Sequence, residues 1–402
     1  MYMNLKYKKI TITLFITILF STMFVAFINS REIIVSAKEN LIDESMNKET
    51  KEELNNLYNY INNMKTDVEL INELNPAEYI KSYISEGHGN ISFDKLMKSV
   101  VSLLFKEVRT VLNLVVSVVV IAILCSLIKS LQDAFKNESI SQIAFFACYS
   151  ILIMVLSKSF IVSISVATEA INEIANFMAA LLPVLVTMIA LAGGFMQAAT
   201  LDPIILASVT LIPKIYVTVI IPLILISFVM TFANNISNEH KIDNLCKLFK
   251  QVILWLQGII ITVFIAILTI RGITADTMDA VAVKTAKFAI DNFIPIVGKT
   301  FSDAITSVAG YSLIIKNAVT GIGLIVIVLV LIYPIIKLIL MSFIYKLSAA
   351  LVEPISDKRI TNSIAAVGDY LILLMSCVIS VSFMFFILLG IMATASKFIV
   401  GG

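Results

Sequence analysis

Ionisable and helix-breaking residues stand where this apolar chain least tolerates them. The densest group is Asp291-Asn-Phe-Ile-Pro-Ile-Val-Gly-Lys-Thr-Phe-Ser-Asp303. Between long hydrophobic runs it holds Asp291, Pro295, Gly298, Lys299 and Asp303 within a single span-length. Proline deletes a backbone donor and glycine loosens the chain. A bilayer core leaves no water to satisfy the groups this frees. Broken backbone at that depth persists only when buried in protein or lining a wet cavity. Two readings stand: an amphipathic interfacial loop between two spans, or a discontinuous, re-entrant element of a solute or ion pathway.

Further candidates carry the same chemistry, which is passage or binding of a polar species rather than bond making. Lys158 is embedded in an apolar run at 141–167, and Lys214 follows Pro213 in another at 203–232. Each lysine either serves a pathway or snorkels to the interface, which suits Lys214 better than Lys158. Glu169 and Glu173, four residues apart, share one helical face just past the first of these runs. Pro183 interrupts the next apolar run in the same way.

Motifs for bond chemistry fail on inspection. Gly298-Lys299-Thr300 imitates the end of a phosphate-binding loop, but the glycine required five residues earlier is Phe293. Gly368-Asp369 resembles half of an intramembrane aspartyl protease signature, yet residue 366 is Ala and no paired aspartate lies in a suitable span. No HExxH or GxSxG is present, and the two histidines, His88 and His240, lie far apart. We expect no enzyme, no cofactor and no metal site. Gly321-Ile-Gly323 and Gly193-Gly194 read as points of close helix approach.

The elements that must position these residues are set by composition. Of 402 residues, 59% are hydrophobic and only 14% charged. Soluble domains run roughly 45–50% apolar and about 25% charged, so the partner is the lipid bilayer. A net charge of +2 argues for no nucleic acid. The four cysteines are scattered without CxxC spacing and read as small membrane-core residues.

Lys6, Lys8 and Lys9 precede an apolar run from Ile10 to Ile28, with small residues at Val35-Ser36-Ala37. Residues 1–37 therefore read as a signal peptide or an uncleaved signal anchor, and either one exports the segment after it. Residues 38–109 carry 9 basic and 13 acidic residues and no cysteine. Leu54, Leu57, Ile61, Met64, Val68 and Ile71 form one apolar stripe ending before Asn75-Pro76. It is either the seam of an intramolecular helix pair or a partner-binding face.

From residue 110 to 402 the chain predicts an all-α, polytopic membrane domain. Spans are expected at about 110–128, 141–167, 174–197, 203–232, 251–270, 317–340 and 367–391. A weaker, broken piece at 291–315 makes an eighth element. Pro183 and Pro295 are 112 residues apart, as are Pro222 and Pro334. That spacing points to related halves, 141–250 and 253–362, with three membrane elements each. An odd number of crossings inverts the second half. The basic loops at 233–250 and 345–362 resist inversion, because the positive-inside rule wants both in the cytoplasm.

The layout of leader, short exported segment and polytopic core resembles the stage III sporulation protein AE family of endospore-forming Firmicutes. Ala180-Leu-Leu-Pro-Val-Leu185, the 291–303 stretch and Val352-Glu-Pro-Ile-Ser-Asp-Lys-Arg-Ile360 carry the resemblance. It implies a multi-pass protein of the outer forespore membrane, which derives from the mother-cell plasma membrane. It also implies a place in the channel complex joining mother cell and engulfed forespore, which supports late forespore development. The implied partners are other stage III sporulation A-operon proteins and, indirectly, stage II sporulation protein Q. No catalytic residue comes with the resemblance. A stand-alone secondary transporter and a non-conducting membrane scaffold are the alternatives.

Overall fold

The computed structural model describes residues 48–64, 76–86, 93–135, 138–236, 242–293 and 298–394. Among these the only regular structure is helical. Two short helices, α1 (Lys48–Asn63) and α2 (Pro76–Glu86), come from the polar segment that precedes the membrane domain. The membrane domain begins with α3 (Phe93–Phe135), α4 (Glu138–Leu191), α5 (Phe195–Ile215) and α6 (Ile221–Ile236). It continues with α7 (Asp243–Phe293), α8 (Gly298–Val352) and α9 (Lys358–Thr394). A five-residue π-helical turn, Tyr216–Ile220, joins α5 to α6.

Six stretches are long and apolar enough to cross a membrane: Met97–Ile128, Phe145–Leu191, Ile205–Asn235, Asp243–Ile270, Val308–Val352 and Lys358–Ala393. The polytopic helical class is thus as expected, but its division is not. The pieces expected at 141–167 and 174–197 are one helix, α4, of 54 residues. At 1.5 Å per residue that is about 80 Å of helix, against roughly 30 Å of hydrocarbon. Glu169 and Glu173 do not end it, because helix needs only satisfied backbone, and water serves polar side chains beyond the lipid. The exposed face of α4 marks that change: Ile151, Met154, Ile161 and Val162 give way to Ser165, Glu169, Asn172 and Asn176.

Likewise α8, at 55 residues, absorbs most of the weaker 291–315 piece. The 291–303 stretch closes α7 at Phe293 and opens α8 at Gly298, so it joins two long helices. Pro295 lies outside the described residues, as do Val68 and residues 1–37.

Turns are built by local chemistry. Gly193, at φ 95°, ends α4: Gly194 N–H donates to Ile189 O and Gly193 N–H to Ala190 O. This glycine pair therefore makes a left-handed helix stop, which corrects the close-approach reading for it. Gly321 and Gly323 do serve close approach. A Cβ at Gly321 would meet the Tyr79 hydroxyl at 3.0 Å, and one at Gly323 would meet Leu181 Cδ2 at 2.6 Å. At the start of α9, Asp357 Oδ1 accepts from Arg359 N–H at 2.8 Å, and Arg359 pairs with the same carboxylate at 3.1 Å. The guanidinium lies 4.2 Å over the Phe145 ring, tying that cap to the start of α4.

The ends of the bundle can be assigned from such contacts. Tyr149 on α4 and Asn235 on α6 both hydrogen-bond Ser363 on α9, at 2.7 and 3.1 Å. The α3–α4, α6–α7 and α8–α9 connections therefore share one end, where Lys247, Lys250, Lys346, Lys358 and Arg359 gather. The α4–α5 turn, the last turn of α7, the first of α8 and the end of α9 lie at the other, together with α1 and α2. The described helix ends that flank the basic loops at 233–250 and 345–362 thus lie at one end.

Candidate functional site

Helices α1 and α2 are built onto the bundle rather than onto each other alone. Leu54, Leu57, Ile61 and Met64 are all buried, Leu57 at 0% exposure, with α1 lying along α4. Tyr60 sits against Phe177, ring centroids 6.5 Å apart, with Glu173 close by. On α2, Tyr79 packs over Gly321 of α8 and stacks on Tyr83 at 6.3 Å. Burial pushes the Tyr58 phenol up to about 12, and burial with the neighbouring Tyr83 does the same for Tyr79. The apolar stripe thus closes an internal seam. The opposite face is exposed, lined by Glu52, Asn55, Asn56 and Asn59.

Polar side chains also thread the bundle interior, held by α9, its most enclosed helix. Nearest the basic end, at the edge of that interior, the half-exposed Asp369 is bracketed by Lys346 at 2.8 Å and Lys250 at 3.8 Å. Gly368 makes this bracket fit, since a Cβ there would lie 2.8 Å from Lys346 Cγ. Lys250 also lies 4.3 Å over the Tyr370 ring, whose hydroxyl bonds Ser227 and Thr231 at 2.7 Å each. Phe160 and Phe228 stack beside it at 3.8 Å, sealing the site from α4 and α6.

Farther along α9, Gln257 of α7 is 4% exposed and accepts from Ser376 at 3.1 Å and Ser380 at 3.3 Å. Its amide N–H donates to Cys377 Sγ at 3.4 Å. Near the far end, Lys316 of α8 is completely buried and donates to Ala393 O at 3.1 Å. Ala393 lies in the last turn of α9, where unpaired carbonyls and the helix dipole favour an ammonium.

The sequence-predicted residues do not converge. Lys158 is exposed on α4, level with Lys346 through the neighbouring Tyr345–Ser159 bond of 2.6 Å. Lys299 lies 47 residues up α8 from Lys346, about 70 Å of helix. Asp291 closes α7, while Gly298 and Asp303 open α8 beside Lys299. Glu169 is exposed and accepts from Ser165 at 3.0 Å, Glu173 lies under α1, and Pro183 and Lys214 are exposed. Sequence reasoning missed Lys316 and Gln257 as interior groups, and Asp369 as the half-exposed partner of two lysines. A signal for Lys316 was there, since a span boundary at 317 leaves it one residue outside an apolar run.

Comparison with known proteins gives the same outline. The model of a family described as Stage III sporulation protein AE matches residues 74–396. The chain is 30% identical over 311 residues to Stage III sporulation protein AE of Bacillus subtilis (strain 168), covering 77% of this chain and 78% of that protein. No solved structure matches it.

Proposed function

We propose a role from one premise: this chain belongs to the stage III sporulation protein AE family and is a multi-pass sporulation membrane protein. It acts as the integral-membrane core of the channel or secretion-like complex linking mother cell and engulfed forespore, in the outer forespore membrane. The observation that carries this reading is the docked pair α1 and α2. A partner in the intermembrane space meets a platform fixed to α4 and α8, not a loose tail. The other stage III sporulation A-operon proteins are the partners we assign to that platform, with stage II sporulation protein Q reached indirectly.

A second reading, a scaffold that conducts nothing itself, draws support from the separation of Lys158 and the 291–303 connection. Cysteine-accessibility mapping across 291–303 in sporulating cells tests the two. Aqueous labelling at several positions, blocked by a larger reagent, supports conduction through this chain. Labelling from one side only supports the scaffold. Normal spore yield after deletion of the whole chain overturns both.

A further inference from the structure

We propose that Cys125 of α3 and Cys148 of α4 are a dithiol that a small-molecule disulfide oxidises to a bond stapling the two helices together. The topology places them opposite each other. Cys125 lies ten residues before the end of α3 at Phe135, and Cys148 ten residues after the start of α4 at Glu138. The two helices pack along each other on either side of a short connection, so equal distances from it put both positions at one level. Their faces agree as well. Val111, Val115, Val118 and Ala122 form the buried stripe of α3, and Cys125 continues it. On α4, Cys148 borders the buried stripe of Phe145, Tyr149 and Leu152. The two thiols come within hydrogen-bonding reach of each other. Adjoining backbones with converging side chains are what a disulfide demands.

Burial sets the order of the chemistry. Cys125 is 0% exposed, whereas Cys148 is only half-buried. The neighbours of Cys148 mark the polar end of the bundle: the Arg359 guanidinium lies over the Phe145 ring, and Ser363 bonds the Tyr149 hydroxyl. A reagent arriving from water therefore meets Cys148 first. The Cys148 thiolate attacks one sulfur of the small disulfide, that S–S bond breaks, and the departing thiolate takes up the cysteine's proton. The Cys125 thiolate then attacks Cys148 Sγ in the mixed disulfide, and a second thiol leaves with the Cys125 proton. The protein dithiol thus gives up two protons and two electrons, and the small disulfide takes up both as two thiols.

The other two cysteines are placed differently. Cys377 Sγ accepts from Gln257 of α7, and Cys246 lies beside Tyr370 of α9, so each of these buried thiols sits against a group that is not a thiol. The Cys125–Cys148 pair is at the basic end, which the positive-inside rule assigns to the cytoplasm. Thiol pools there keep a dithiol reduced, so the staple closes when the pool turns oxidising. Closure fixes α3 against α4, the helix on which α1 lies. This site stands independently of whether the complex conducts.

The test is thiol mapping on the full chain in phosphatidylcholine–phosphatidylglycerol bilayer discs treated with glutathione disulfide. After unfolding, trypsin cuts behind Arg109, Lys129, Lys136 and Lys158, so Cys125 and Cys148 fall in separate peptides, 110–129 and 137–158. Treated protein should yield these as one linked species that dithiothreitol separates, with Cys246 and Cys377 still free. Cys125→Ser should instead hold glutathione on Cys148, and Cys148→Ser should slow reaction at Cys125 at least tenfold. If either variant fails to fold, as judged by helical circular dichroism, the wild-type link and its reversal decide alone. A lasting glutathione adduct on Cys148 in the wild type, a link to Cys246 or Cys377 instead, or four free thiols after treatment would overturn the staple.

Discussion

Replacing Leu57 and Ile61 together by glutamate should release α1 from the bundle. Both side chains are buried, at 0% and 1% exposure. Full burial of such a side chain contributes about 1.5–3 kcal/mol, so the pair accounts for about 3–6 kcal/mol of docking. Each 1.4 kcal/mol is tenfold in an equilibrium, so the undocked population should rise by roughly two to four decades. Limited proteolysis of the purified protein in lipid discs reads this directly, because Lys48 and Lys51 lie on α1 itself. Cleavage should accelerate by at least two decades, while Asn55→Glu with Asn59→Glu, on the exposed face, leaves it unchanged. Wild-type cleavage rates in the buried-face variant would refute the docking, and with it the platform on which the functional reading rests. Loss of partner co-purification from the exposed-face variant, with proteolysis normal, would locate the binding surface on that side.

Single contacts set three further outcomes. Gly323→Val should lower the melting temperature by several degrees, since even its Cβ meets Leu181 at 2.6 Å and Leu389 at 3.3 Å. Overpacking of this kind costs about 1–3 kcal/mol, whereas Gly310→Ala, with nothing within 4 Å, should not destabilise. Helices α1 and α2 should stay docked up to about pH 10 and loosen between 10 and 12. Released phenols titrate near 10 while Tyr58 and Tyr79 hold their protons to about 12, so the undocked state binds fewer protons across that window. Hydrogen exchange of α1 and α2 against pH checks this, and docking that strengthens above pH 10 would contradict it. A tag after α9 should be reached from the same side as α1, because both lie at one end of the bundle. A tag reached only from the opposite side would break the end assignment.

Much of this organisation was legible in the residues, and what was missed has physical causes. The α1 stripe and the Gly321–Gly323 contact could be read because each depends on spacing along one helix. The continuity of α4 could not. Hydropathy registers Glu169 and Glu173 as a gap, but a helix crosses from lipid to water without breaking. The π turn at Tyr216–Ile220 escaped because Pro213 and Pro222 announce a disturbance without saying how the backbone absorbs it. Lys316 and Asp369 were hidden for another reason: what satisfies each is on another helix, an α9 carbonyl for one and lysines of α7 and α8 for the other.

The crossing count also bears on the transporter alternative. With α4 a single element, the half at 141–250 contains two crossings, α4 and the α5–α6 unit, and the half at 253–362 contains α7 and α8. Two crossings return the chain to its starting side. With that count, a repeat at the 112-residue proline spacing would be parallel, its halves related about an axis along the membrane normal. That removes the conflict with the positive-inside rule, since both basic loops then face the same compartment, as the Asn235–Ser363 bond requires. Parallel repeats occur in transporters too, so the stand-alone secondary transporter needs a substrate site of its own.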